Sequence, residues 1–321
     1  MPENNLGKCC VVLLAMGGPD STDGVRQYLV NIFSDRSIIQ LPGGPLLQKP
    51  FAHLISLLRR KKVASHYGLI GGRSPLLDWT IAQQRHLERI IKPSYPDFGS
   101  TIGMRYYQPF TRDALREAYQ QGYRHFCFFP MYPQYCRATT GSSFEEVARG
   151  LNGLRGVTTS FIKDFHDHPG YIALLREYIE TNIGPDDTLL YSAHSVPQSF
   201  VDDGDPYVEQ VKRTAKLASG SREYFISFQS RTGPVKWVGP DTIHEAERLL
   251  NERSSNLFVV PISFVCDHIE TMYEIDIELK QLLGEDLGAR VRRMPMFNDD
   301  PRLGQVIADI VRERASLNAR S

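Results

Sequence analysis

Six short apolar runs, separated by amphipathic stretches, limit what this chain can become. They are CCVVLLAM (9–16), STIGMRYY (100–107), HFCFFPMY (125–132), TLLYSA (188–193), YFISFQS (224–230) and LFVVPISFV (257–265). Rich in β-branched and aromatic residues and too short for buried helices, they read as strands. Between them, TRDALREAYQQG (111–122), YIALLREYIETNIG (171–184), YVEQVKRTAKLASG (207–220) and DTIHEAERLLNER (241–253) carry helical periodicity. Three of these end at Gly, as helices often do. Strands that alternate with helices predict an α/β protein with parallel sheets, because a parallel pair needs a long crossover.

The runs also fall into two sets of three with matching punctuation. LLAMGGP answers LLYSAHSVP, IGMRYYQP answers ISFQSRTGP, and CFFPMYPQ answers FVVPISFV. This weak internal duplication predicts two similar βαβ halves, residues 1–160 and 161–321, facing each other across a cleft. Ligands of such sheets bind beyond the carboxyl ends of the strands, so the loops there are where chemistry is expected. The first half carries a surplus at about 31–95, which includes PLLQKPFAHLISLLRRKK. One reading of it is a helix docked on the domain. The other is an apolar lip over the cleft, whose leucines beside Arg59 to Lys62 suit an anionic membrane surface.

Lys plus Arg balance Asp plus Glu at 37 each, which argues against nucleic acid as the main partner. No apolar run approaches the roughly 20 residues of a membrane-spanning helix. MPENNLGKCC has neither signal-peptide nor transit-peptide character, so a cytoplasmic protein is expected. The five cysteines include no C-x-x-C pair, and neither a disulfide framework nor a zinc or iron–sulfur site is indicated.

His194 ends a strand in YSAHSVP, and VCDHIETMYEIDIELK (265–280) follows another strand of the same half. If that segment is a helix, Glu270, Glu274 and Glu278 stack at i, i+4 and i+8 on one face, where like charges repel by roughly 0.2–0.5 kcal/mol per pair. Two readings stand. Asp267 and Glu270 form a capping box, with Glu274 and Glu278 on a solvated face or an exposed strand edge. Alternatively, imidazole and carboxylates converge on a divalent first-row ion or on protons. QSRTGPVKWVGP (229–240) sets Arg231 and Trp237 in a loop suited to a planar ligand, or simply packed. TTGSS (139–143) offers hydroxyls and N–H groups at a helix start. P-loop, G-x-S-x-G and G-x-G-x-x-G motifs are absent.

MGGPDSTDGVRQYLVNIFSDR, IGGRSPL, GMRYYQPFT, YPQYCRATTGSS, SAHSVP, GDPY, FQSRTGPVKWVGP and VPISFVCDHIETMYEIDIE together resemble the ferrochelatase family over about residues 8–315. The resemblance implies two doubly wound (Rossmann-like) halves around a porphyrin cleft (chelatase-like) and a lyase that inserts Fe2+ into a porphyrin in haem biosynthesis. It implies that His194 and Glu270 are catalytic and metal-binding, on opposite faces of the porphyrin, with Glu274 and Glu278 as an acidic trail behind Glu270. Met16, Arg105, Tyr106 and Trp237 match porphyrin-lining positions, and Arg59, Tyr67 and Ser74 lie in the lip region facing the propionates.

Two departures bear on the branch of the family. Arg137 stands where mitochondrial members place a cluster cysteine, and the Cys-bearing C-terminal extension is lacking, so no iron–sulfur cluster, no resident cofactor and a monomer are expected. Met16 stands where the coproporphyrin-using branch tends to have tyrosine, which favours protoporphyrin IX. The expected protein is cytoplasmic, with peripheral membrane contact through the lip. The alternatives are a coproporphyrin III ferrochelatase and, in another class, a non-catalytic haem or porphyrin carrier.

Overall fold

The computed structural model describes residues 8–39, 41, 43–231 and 235–315. The chain forms two compact units, the first comprising 1–132, 137–164 and 298–321, the second 133–136 and 165–297.

The first unit opens with β1 (Cys9–Ala15), α1 (Val25–Ser34), α2 (Gly44–Leu69), α3 (Leu76–Ile91) and β2 (Gly99–Met104). It continues through α4 (Thr111–Gln120), β3 (His125–Pro130), α5 (Ser142–Leu151) and β4 (Thr158–Phe161). Its sheet is parallel, in the order β2-β1-β3-β4, with Leu13 registered between Ile102 and Phe129. β1 is buried along its whole length, which is why it reads as an unbroken apolar run rather than an alternating one. Cys10, Val12 and Leu14 pack with Phe126 and Phe128 against Leu115 and Ala118 of α4 and Val147 of α5.

The second unit holds α6 (Pro169–Asn182), β5 (Thr188–His194), α7 (Gln198–Asp202), α8 (Tyr207–Ser219), β6 (Tyr224–Gln229), α9 (Thr242–Glu252) and β7 (Leu257–Pro261). A π-helix, Glu270–Leu279, runs into α10 (Lys280–Gly288), followed by β8 (Val291–Arg293). The parallel order β6-β5-β7-β8 repeats that of the first unit. The duplication is therefore present in the topology, down to Pro130 and Pro261, each the last residue of the third strand of its unit.

Three expectations need correction. The short edge strands β4 and β8 were not foreseen, because an edge exposed on one side needs no apolar run. β2 stops at Met104 and β7 at Pro261, so Arg105 and Tyr106, like Ile262 to Val265, lie in the loops beyond the strand ends. Finally, α11 (Pro301–Ala315) belongs to the first unit, although the expected boundary gave everything after 160 to the second half. Its residues Leu303, Ile307, Ala308, Ile310 and Val311 are fully buried, and a Cβ on Gly304 would lie 2.5 Å from the His86 Cβ of α3.

Candidate metal and proton site

The site in the second unit begins where β5 ends. His194 is the last residue of that strand, and its Nδ1 lies 2.6 Å from the Ser195 carbonyl. A carbonyl only accepts, so Nδ1 carries a proton, and in the neutral tautomer that this selects Nε2 is the bare nitrogen. The Tyr207 hydroxyl, from the GDPY motif, donates to the His194 carbonyl at 2.9 Å and meets Ser263 Oγ at 2.6 Å, which pins the strand end.

Glu270 starts the π-helix, and its Oε2 lies 3.7 Å from His194 Nε2. That is too long for a hydrogen bond, and Oε2 is buried with no hydrogen-bond partner. Two lone pairs thus face each other, an arrangement that a shared proton or a cation relieves. Two ligand atoms each roughly 2.1 Å from a first-row ion lie about 3–3.6 Å apart, close to the spacing observed. Burial pushes the Glu270 carboxyl up to about 7.

The resemblance implied a macrocycle between these two side chains. At 3.7 Å no planar ring stands between them, since van der Waals contact needs roughly 3.5 Å on each of its faces. As the fold holds them, the two groups face each other directly.

Behind Glu270, Glu274 accepts from Ser230 Oγ and from Gln229 Nε2, the latter at 3.3 Å. Burial, reinforced by the neighbouring Glu270 charge, raises its pKa. Gln229 also donates to the Glu270 carbonyl at 3.1 Å, and Glu278 hydrogen-bonds Tyr273. The carboxylate row is therefore present as expected, but on a π-helix rather than an α-helix. Widened i→i+5 turns of this kind are rare and recur at functional sites.

Asp267 does not cap that helix as foreseen. The His268 N–H donates to Thr271 Oγ1 at 3.1 Å and the Glu270 N–H to His268 Nδ1 at 3.2 Å, while Asp267 accepts from Thr271 Oγ1 at 2.8 Å. Asp267 also pairs with Arg293 at 3.0 Å, and Arg293 grips Asp276 through Nε at 3.0 Å and Nη2 at 2.8 Å. One guanidinium thus ties down both flanks of the Glu270 turn. Burial lowers His268 to about 4, so its ring stays neutral. Trp237 Nε1 is buried without an acceptor, and Arg231 is engaged by the Val238 carbonyl at 3.1 Å and by Asp241 at 3.5 Å. Thr232 to Pro234 of that motif lie outside the described residues.

In the first unit, Arg105 Nη2 pairs with Asp35 at 2.6 Å and its Nε donates to Ser142 Oγ at 3.0 Å. The Tyr106 hydroxyl donates to the same Asp35 oxygen at 2.7 Å. Their polar ends are thus occupied by the protein, while the Tyr106 N–H donates to the Met16 carbonyl at 2.8 Å. Arg59 lies over the Phe33 ring at 5.7 Å, and Tyr67 is buried. Ser74 is buried against the chain, its N–H donating to the Pro19 carbonyl at 2.8 Å and its Oγ 2.4 Å from where a Cβ on Gly18 would stand. Of TTGSS, Ser142 joins the Asp35 network, while Thr140 Oγ1 and Ser143 Oγ are buried without a partner. Asp35, Gln229, Ser230 and Arg293 were not foreseen. The first three stand inside or beside quoted motifs, but Arg293 has no local signal.

Two similar parallel-sheet units, with imidazole and carboxylate at the strand ends of one of them, define a chelatase-like α/β protein. SirB from Bacillus subtilis with Fe3+ superposes with a TM-score of 0.58 at 13% identity, covering 96% of this chain and 95% of that one. Residues 8–315 match the family model for ferrochelatase. The chain is 43% identical to a ferrochelatase of Geotalea daltonii over 95% of this chain and 97% of that protein, and 39% identical to one of Synechocystis over 98% and 84%. The chain belongs to the ferrochelatase family, enzymes that insert a metal ion into a porphyrin.

Proposed function

We propose that this chain inserts Fe2+ into protoporphyrin IX to give protohaem, with loss of two pyrrole protons. The observation that carries the reading is the bare His194 Nε2 facing the partnerless Glu270 Oε2 at 3.7 Å. Metallation requires that protons leave the ring nitrogens and that the ion give up its water. An imidazole–carboxylate pair with a carboxyl near neutral pKa accepts either a proton or the ion. His194 takes the pyrrole protons on Nε2, Glu270 accepts the proton or the ion in turn, and Glu274 and Glu278 link the pair to solvent. Met16 in place of a tyrosine supports protoporphyrin over coproporphyrin III.

Fe2+ is substrate rather than resident cofactor, and Arg137 at the family's cluster-cysteine position supports a protein without an iron–sulfur cluster. α2 exposes Leu46 at 90% and Leu58 at 72%, beside Arg59 to Lys62. That face supports peripheral contact with an anionic membrane for collecting an apolar substrate. No described helix is long and apolar enough to cross a membrane.

Anaerobic Fe2+ insertion into the two porphyrins tests the reading. Protoporphyrin is expected to turn over faster, and His194→Ala and Glu270→Gln are each expected to lower insertion by about 100-fold or more while the chain stays folded. Faster use of coproporphyrin III would overturn the substrate assignment. Tight porphyrin binding without metallation would identify a carrier.

A further inference from the structure

A cavity of about 840 Å3 opens in the first unit, lined by the end of α1, by Lys49 of α2, and by side chains of α4 and α5. Its wall carries six cationic side chains and four carboxylates. The carboxylates are unequally shared. Arg105 pairs with Asp35 at 2.6 Å, Arg112 with Glu146 at 2.6 Å, and Arg149 with Glu145 at 3.2 Å and Glu146 at 3.0 Å. Arg36, Lys49 and Arg116 also line the cavity, and among the described residues they have no carboxylate partner.

Arg36 is the telling member. Its Nη1 is buried and has no acceptor. A guanidinium N–H taken out of water without an acceptor costs more than a neutral donor does, and the fold supplies nothing nearby to offset it. Three of the four wall carboxylates, Asp35, Glu145 and Glu146, are held by other arginines, which leaves Asp113 alone beside Arg36, Lys49 and Arg116.

We infer that this cavity is a binding site for a small multivalent oxyanion, a polyphosphate or polycarboxylate, held by Arg36, Lys49 and Arg116. Planar guanidinium groups recognise adjacent negative oxygens in bidentate fashion, and the lysine adds a point charge. The volume suits a small metabolite. The residues that line the cavity belong to the first unit, and the His194–Glu270 pair belongs to the second.

Isothermal titration of the intact protein with inorganic pyrophosphate and, separately, citrate tests the inference. The variant Arg36→Ala/Lys49→Ala/Arg116→Ala is compared with Arg85→Ala/Arg89→Ala/Lys163→Ala, which removes the same charge from exposed residues that do not line the cavity. The wild type and the second variant are expected to bind at least one of the two anions, and the first to bind it about tenfold or more weakly. Pyrophosphate binding more tightly would identify a phosphorylated ligand, and citrate binding more tightly a carboxylic one. Absence of binding to either anion, or equal weakening in both variants, would overturn the site. None of the substituted residues is a member of the His194–Glu270 site, so metal insertion by both variants reports intact folding separately.

Discussion

Glu270 carries a proton about half the time near neutral pH, because burial raises its carboxyl to about 7. Its folded pKa lies above the ordinary carboxylate value, so the stability it contributes is full below about 4.5 and is lost as pH rises through about 7. Above that, an ionised Glu270 costs up to roughly 3 kcal/mol. Glu270→Gln, which cannot ionise, is therefore expected to raise the melting temperature at pH 8 and leave it little changed at pH 4.5, while metal insertion is lost. Calorimetry at the two pH values checks this. The same protonation disables the pair as an acceptor, so kcat/KM for the metal should fall as pH drops below about 7. Because Glu274 lies behind Glu270 and is also raised, the limb reports the pair rather than one residue. Ser230 stabilises the Glu274 carboxylate, so Ser230→Ala should move that limb to higher pH in a pH–rate profile.

At the scale of the element, the spacing of Glu270, Glu274 and Glu278 was legible and the width of their helix was not. ETMYEIDIEL has ordinary α-helical propensity, and nothing local asks for i→i+5 bonding. The anchors on that segment come from elsewhere in the chain: Arg293 of β8 on Asp276, and Gln229 of β6 on Glu274 and on the Glu270 carbonyl. Arg293 is only 11% exposed and serves two carboxylates. Arg293→Gln takes the guanidinium charge from both, at an expected cost of about 3 kcal/mol, read from a denaturant midpoint. Because the clamp flanks Glu270, kcat should fall more than the KM for porphyrin rises. α2 shows the same division: its leucines beside a basic run were visible in sequence, whereas their 46–90% exposure was not. Leu46→Ser/Leu58→Ser should weaken sedimentation with anionic vesicles several-fold and leave stability within about 0.5 kcal/mol.

At the scale of the whole molecule, the matching proline punctuation foretold a duplication, and the two sheets carry it as the orders β2-β1-β3-β4 and β6-β5-β7-β8, with the edge strands β4 and β8 added by the fold. The return of α11 to the first unit was invisible, because its apolar stripe looks alike whichever sheet it covers. Gly304 makes that docking testable: a methyl there meets His86 of α3 at 2.5 Å, and Gly304→Ala should cost about 1–3 kcal/mol in equilibrium unfolding. The sequence by itself determined the α/β class, the six principal strands, the duplication and the strand-end position of His194. Each follows from periodicity and turn chemistry within a few residues. Only the tertiary structure decided that His194 and Glu270 stand 3.7 Å apart, that the acidic row rides a π-helix held by Arg293, and that Arg105 and Tyr106 close on Asp35. Those outcomes depend on pairs separated by 17 to 76 residues, and no local pattern records which distant partner the packed chain will supply.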